Sequence, residues 1–269
     1  MSDPYASIAE ADPEVVAAIV ERLELRAADP QQKTMRETYF ARLDFGESAH
    51  VLEAGCGTGA VSRDLAAYPG VGTVVGLDPS PVLIESARER ASEIGNLSFE
   101  VGDARAMPFD DAAFDTVIFH TALCHISEPE RALDEAVRVL RPGGRVCAFD
   151  GDYSTATVAL HEFDPLQMCS RAVTRQNVMD RWLVRRLPGM LRAAGFADVD
   201  SQSHGYFDND DPAYMLGHAS RGAEVLCEEG VIGTDLAQAL KAEARRRAAT
   251  GTFFGHIAYA SFIAVKPAG

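Results

Sequence analysis

The sequence predicts an α/β fold: a mostly parallel, doubly wound sheet with helices on both faces. Three observations predict it. Short apolar runs alternate with stretches of helical periodicity from about residue 46 onward. The first apolar run leads directly into a glycine turn, Gly55-Cys56-Gly57-Thr58-Gly59, and then into helical sequence. The run Phe114–Phe119 is continuous apart from Asp115 and Thr116, as in parallel strands covered on both faces.

Two helices are expected before the sheet. Asp12-Pro13 is a helix start, and Val15, Val16, Ile19, Val20 and Leu23 form an apolar stripe. Ala28-Asp29-Pro30 breaks that helix. A second runs from about Gln31 to Leu43, with Met35, Tyr39 and Phe40 on one side. The strands follow at about 50–53, 73–77, 97–101, 114–119, 145–149, 197–203 and 256–265, seven in all. The intervening helices are expected at 60–68 and 81–94, the latter with Ser80 as N-cap and Pro81 at its first position. Ser127-x-x-Glu130 reads as a capping box opening the next helix, with Leu133, Val137 and Leu140 inward. Helix 181–194 contains Pro188 and is expected to kink or split. Segments 151–180 and 208–249 are too long for plain connections and read as helical caps.

Composition bounds the function. The 269 residues are 47% hydrophobic and carry 40 acidic against 25 basic residues, a net charge of −15. That balance argues against a nucleic-acid partner, which needs a basic face. No apolar run is long enough to span a membrane, and the start Met1-Ser2-Asp3-Pro4-Tyr5 does not read as a secretory signal. Five scattered cysteines without C-x-x-C spacing suit a reducing cytoplasm, and no structural metal is expected.

The glycine turn admits two readings. Gly55-x-Gly57-x-x-Ala60 with Asp78 about 20 residues on matches a dinucleotide fingerprint. Against it, no tyrosine has a lysine four residues later to run hydride chemistry. The second reading uses more residues. Val51-Leu52-Glu53-Ala54-Gly55-Cys56-Gly57-Thr58-Gly59 resembles the first motif of class I S-adenosylmethionine-dependent methyltransferases. Val75-Gly76-Leu77-Asp78-Pro79-Ser80, Gly102-Asp103-Ala104, Phe114-Asp115-Thr116-Val117-Ile118 and Leu140-Arg141-Pro142-Gly143-Gly144-Arg145 resemble the later motifs, in order. The whole-chain plan is similar to the branch near ubiquinone/menaquinone-biosynthesis and small-molecule natural-product methyltransferases.

That resemblance implies a Rossmann-like sheet in one domain, 1–269. It divides into an N-terminal helical flap (1–45), a cofactor-binding half (46–150), cap insertions (151–180 and 208–254) and the rest of the sheet (181–207 and 255–269). It implies S-adenosylmethionine as cofactor, leaving as S-adenosylhomocysteine, in a monomer or homodimer. The main chain of Ala54, Gly55, Cys56, Gly57 and Gly59 would approach the methionine part, with Glu53 ordering the loop and the ammonium. Asp78 would accept the ribose hydroxyls, and Pro79 or Ser80 would pack on adenine. Gly102-Asp103-Ala104 would hold the adenine edge, Asp103 accepting its amino group. His120 and Thr121 would line the sulfonium end, and Arg36 with Tyr39 would cover the carboxylate.

Methyl transfer needs a base only for an acceptor that is protonated at neutral pH. His120, His125 and Tyr153 are the leading candidates, with Asp150, Asp152 and His161 behind them. His204, His218 and His256 carry no motif and read as packing residues. The implied activity is methylation of a small acceptor at C, O or N, in an enclosed pocket. Two alternatives stand: a fold that binds S-adenosylmethionine without methylating, for example as a rearrangement catalyst, and a nicotinamide-dependent oxidoreductase.

Overall fold

In a computed structural model, residues 12–209 and 212–268 are described. The first eleven residues of the expected flap, Asp210-Asp211 within the expected cap 208–254, and Gly269 lie outside them. The chain enters through two helices, α1 (Pro13–Ala28) and α2 (Pro30–Leu43). Asp29 caps α2, its carboxylate accepting from the Gln31 and Gln32 amides at 2.8 and 3.1 Å. The buried residues of α2 are Gln32, Met35, Arg36, Tyr39, Phe40 and Leu43, one stripe at helical spacing that includes two polar side chains.

Seven strands follow: β1 (Ala49–Ala54), β2 (Val71–Asp78), β3 (Leu97–Val101), β4 (Phe114–His120), β5 (Leu140–Thr157), β6 (Ala197–Asp208) and β7 (Gly255–Val265). They form one sheet in the order β3-β2-β1-β4-β5-β7-β6. β7 runs antiparallel to both β5 and β6, and the other pairings are parallel. The order reverses between β1 and β4, which opens a crevice at their carboxyl ends. Successive residues feed opposite cores, as the pleat requires. Val51, Ile118 and Cys147 pack with α2 and the later helices α6 (Leu166–Asn177), α8 (Ala213–Glu228) and α9 (Thr234–Ala249). Leu52, Val117, Phe119, Val146 and Ala148 pack with α5 (Pro129–Val139) and α7 (Leu183–Ala193). The remaining helices are α3 (Ala60–Ala66) and α4 (Pro81–Arg90), the latter capped by Ser80 Oγ on the Leu83 amide.

Three local expectations are corrected. β5 extends to Thr157 because β7 offers it partners as far as the Thr157–His256 pair, so residues 151–157 belong to the sheet and not to a cap. Ser127 does not cap α5: Glu128 holds the N-cap position with Pro129 behind it, and Ser127 Oγ accepts from Arg105 instead. Pro188 sits inside a single helix, α7, which is not split into two pieces.

Candidate functional site

The crevice at the β1/β4 switch point is a cavity lined by the turns after β1, β2, β3 and β4 and by residues of α1 and α2. Gly55 turns at φ +80°, and a Cβ there would lie 2.4 Å from Ala122 Cβ, so glycine alone lets the β1 turn pass the β4 turn. The turn hangs on β2, since the Gly55 and Cys56 amides both donate to the Leu77 carbonyl, at 2.7 and 3.0 Å. Asp78 ends β2 and ties two loops together. Its Oδ2 accepts from the Gly57 amide and its Oδ1 from the Ser80 amide, each at 2.9 Å. Burial raises its carboxyl above the ordinary range, against those two bonds. Each oxygen keeps a lone pair for a further donor.

Glu53 sits beneath the turn, 1% exposed, hydrogen-bonded to Ser62 Oγ. Burial pushes its carboxyl up to about 8. Above the turn stands the polar part of the α2 stripe. Arg36 donates Nε and Nη2 to Asp64 Oδ2 at 2.9 and 2.7 Å, and Nη2 also to the Ala27 carbonyl at 2.7 Å. Its Nη1 has no hydrogen-bond partner, and neither polar atom of the Gln32 amide forms one. Both side chains are at most 2% exposed and both line the cavity. Buried polar atoms without a well-formed hydrogen bond, on two residues that line one cavity, are uncommon in a folded interior; the nearest polar neighbour of the Gln32 amide is the Tyr259 hydroxyl.

At the far wall, His120 Nδ1 and the Tyr39 hydroxyl lie 2.9 Å apart, and the imidazole stacks on Phe149 with centroids 4.8 Å apart. Burial first, then the charges of Arg26 and Arg36, hold His120 well below the ordinary histidine range, so it is neutral at pH 7. Thr121 follows with φ +50°, a strained conformation for a β-branched residue. Its amide donates to the Phe149 carbonyl at 2.6 Å, and its Oγ1 accepts from Arg26 Nη2 at 2.7 Å. On the opposite side, Asp103 lines the cavity but is held by Arg105, Nη2 to Oδ2 at 2.7 Å, which lowers its carboxyl below the usual range.

A second cavity lies between α1, α6 and α8. It meets the first at two residues common to both walls, Arg26 and His125. His125 sits in a short 3-10 turn after β4, close enough to Asp150 that its charge draws that buried carboxyl down against the effect of burial. Asp150 also accepts from the Cys124 amide at 3.1 Å. Tyr153 and His218 line this second cavity. Burial raises the Tyr153 phenol well above its ordinary range and lowers His218 to about 4.

The structure thus gathers Arg36, Glu53, Gly55, Cys56, Gly57, Asp78, Pro79, Asp103, Ala104, His120, Thr121 and His125 around the first cavity. Tyr39, Ala54, Gly59, Ser80 and Gly102 do not reach its wall. Tyr39 is wholly buried and hydrogen-bonded to His120, while Ser80 serves as the α4 cap. Tyr153 is in the second cavity only, and His218 is a wall residue rather than simple packing. Asp152 is engaged by Arg185 at 2.8 Å, and His161 is exposed. Cys56, 6% exposed with its thiol raised by burial, is inert packing. The sequence reading missed Gln32 and Arg26. Gln32 had a signal, a polar residue on the same helical stripe as Met35 and Arg36. Among the described residues, no three His, Cys, Asp or Glu side chains are grouped to hold a metal ion, and no helix is long and apolar enough to cross a membrane.

Comparison with known proteins gives this geometry a family. A methyltransferase domain model matches residues 52–148. The demethylmenaquinone methyltransferase of Lactococcus lactis is 30% identical over 172 residues, covering 58% of this chain and 68% of that protein. An uncharacterised 37.1 kDa protein in transposon TN4556 of Streptomyces fradiae is 35% identical over 153 residues. The chain spans 44% of that protein's length, and a similar share of the other foremost curated relative. The [4+2]-cyclase SpnF superposes with a TM-score of 0.56 at 22% identity, over 88% of this chain and 82% of its own. The chain therefore belongs to the class I S-adenosylmethionine-dependent methyltransferases.

Proposed function

We propose that the protein transfers a methyl group from S-adenosylmethionine, held in the first cavity, to a small molecule held in the second. The observation that carries this is the trio of unmatched buried atoms, Arg36 Nη1 and both ends of the Gln32 amide, above the glycine turn. A zwitterionic amino-acid group answers that demand. Its carboxylate would meet Arg36, and its ammonium would meet the Gln32 oxygen and Glu53. The remaining lone pairs of Asp78 suit a ribose diol. Leu83, Pro79 and the Asp103-Ala104 turn would form the adenine end.

When bound, this cofactor supplies an electrophilic methyl on a sulfonium. The chain's own contribution is to hold the two reactants at a common neck and keep water out. His120, neutral and tied to Tyr39, positions the wall of that neck; so low a proton affinity makes it a poor base. His125, backed by Asp150, would take the proton from the acceptor. Tyr153 stays protonated and can orient the acceptor as a donor.

The test is calorimetric binding of S-adenosylhomocysteine followed by product formation with candidate acceptors. His125→Gln should depress turnover by far more than it weakens S-adenosylhomocysteine binding. A protein that binds S-adenosylhomocysteine yet methylates no acceptor would match the rearrangement alternative, which the SpnF likeness keeps in view. That the two cavities share the wall residues Arg26 and His125 supports methyl transfer over it.

A further inference from the structure

His218, on α8, faces two hydroxyls of α6, Ser170 and Thr174, which stand one helical turn apart. One turn further along α8 the helices are pressed together: a Cβ on Gly222 would overlap the Cys169 carbonyl, so the imidazole has a fixed place. Its Nε2 is 3.2 Å from Ser170 Oγ and 3.4 Å from Thr174 Oγ1. Each hydroxyl has its single proton engaged elsewhere. Thr174 Oγ1 donates to the Ser170 carbonyl at 2.7 Å, and Ser170 Oγ to the Ala156 carbonyl at 3.2 Å. Toward Nε2 both can only accept. The Ser170 carbonyl, which raises the proton affinity of the ring against burial, is an acceptor as well.

These contacts choose the tautomer. Burial lowers His218 to about 4, so the ring is neutral at pH 7 and one nitrogen carries the proton. Facing acceptors, that nitrogen is Nε2. Nδ1 is left as a bare lone pair. Among the described residues it takes no hydrogen bond, and protein does not enclose it. The side chain lines the second cavity, along with Tyr153, Val173, Val178 and Tyr214. It does not line the first, whereas His125 lines both.

We propose that His218 is a specificity-determining residue of the acceptor site, its Nδ1 taking a hydrogen bond from a hydroxyl or N–H that the acceptor carries apart from the atom receiving the methyl. This inference rests on the methyltransferase reading above, with the acceptor in the second cavity. Anchor and reacting end then lie at different walls, His218 on the second cavity alone and His125 on the wall shared with the donor. The acceptor is thus a bifunctional small molecule whose apolar body lies against Val173 and Val178. Ser170 and Thr174 are positioning residues that hold the tautomer. A molecule offering only lone pairs at that place leaves Nδ1 unpaired and is disfavoured.

The experiment uses the full chain, ¹⁵N-labelled at histidine and loaded with S-adenosylhomocysteine, with phenol and anisole as probes. The two share an aromatic body and differ in the donated proton. Before either is added, the His218 resonances should show Nε2 protonated and Nδ1 bare. Phenol should bind about tenfold more tightly than anisole, the worth of one hydrogen bond, and should shift the Nδ1 resonance. His218→Gln places an amide nitrogen near the Nε2 position, keeping the contact with Ser170 and Thr174 while removing the Nδ1 acceptor. It should bring the two probes within about twofold of each other while changing S-adenosylhomocysteine affinity by less than about threefold. The wild-type spectra need no variant, so the test stands if His218→Gln fails to fold. A proton on Nδ1, anisole binding as well as phenol, phenol binding without moving the Nδ1 resonance, or a His218→Gln variant that keeps the preference each overturns the proposal. So does failure of both probes to bind. A wild-type chain that binds no S-adenosylhomocysteine overturns the methyltransferase reading instead.

Discussion

The two cavities that share Arg26 and His125 are built in different ways. The first is made by turns at the ends of neighbouring parallel strands, and its key contacts start from main-chain amides: Gly55 and Cys56 onto the Leu77 carbonyl, Gly57 and Ser80 onto the Asp78 carboxylate. The second is made by side chains of α1, α6 and α8, segments far apart in sequence and brought together only by tertiary packing. A cavity of the first kind constrains residue type tightly, because a backbone that must turn and approach admits few side chains. A cavity of the second kind constrains only size and charge.

The sharpest way to break this contrast is at Gly55. A side chain there must be accommodated at φ +80° and against Ala122 Cβ. The left-handed conformation costs about 1–2 kcal/mol and overpacking a further 1–3 kcal/mol. Gly55→Val should therefore abolish S-adenosylhomocysteine binding in calorimetry, a loss beyond about 100-fold. A variant that binds normally would show that the turn is not the donor site.

Next in size is the charge under the turn. Glu53 holds its proton up to about 8 in the folded chain, against an ordinary value of 4.5. Between those values the native state binds a proton that the unfolded state has released, so stability falls as pH rises from 4.5 toward 8. The full span is on the order of a few kcal/mol. The melting temperature of the ligand-free protein should drop from pH 5 to pH 8, and Glu53→Gln, which keeps a partner for Ser62, should flatten that drop. Parallel curves for the two proteins would count against the buried acid. A bound ammonium should also flatten the wild-type curve, by favouring the carboxylate.

A third measurement separates the polar stripe of α2 from its apolar neighbours. Arg36→Met removes the buried cation but leaves Asp64, 45% exposed, to water. Folding should survive, while S-adenosylhomocysteine affinity falls by about 10- to 100-fold, the worth of a hydrogen bond to a charged group. A large loss of melting temperature with unchanged affinity would make Arg36 a structural residue only.

The same contrast explains what could be read from the sequence. Glu53, Asp78 and Asp103 end the first three strands or begin the turns after them, and Gly55, Gly57 and Gly59 mark a turn that takes positive φ at all three. These are local signals, and the structure collects them around one cavity. Gln32 and Arg26 carry no such mark. Gln32 matters because α2 turns a polar residue inward, and Arg26 because the exposed helix α1, with Ile19 alone buried among its residues, crosses the mouth of two cavities. Residues 150–157 are, Tyr153 apart, small or polar, and β7 lies beside them as their strand partner. Their pattern contains no trace of that partner.

The smallest predicted effect tests a local signal that tertiary context overrode. Ser127-x-x-Glu130 has the spacing of a capping box, and an N-cap serine replaced by alanine typically costs about 1 kcal/mol. In the structure α5 begins one residue later, at Pro129, with Glu128 in the N-cap position at φ 59°. Proline has no amide to satisfy and a φ already suited to a first helical position, so the start moves to it. Ser127 Oγ instead takes a hydrogen bond from Arg105 Nη1 at 2.8 Å, in an exposed setting where water can replace it. Ser127→Ala should therefore change unfolding free energy by less than about 0.5 kcal/mol in denaturant titration. A loss near 1 kcal/mol would restore the capping box, and with it the view that α5 is set by its own sequence rather than by Pro129.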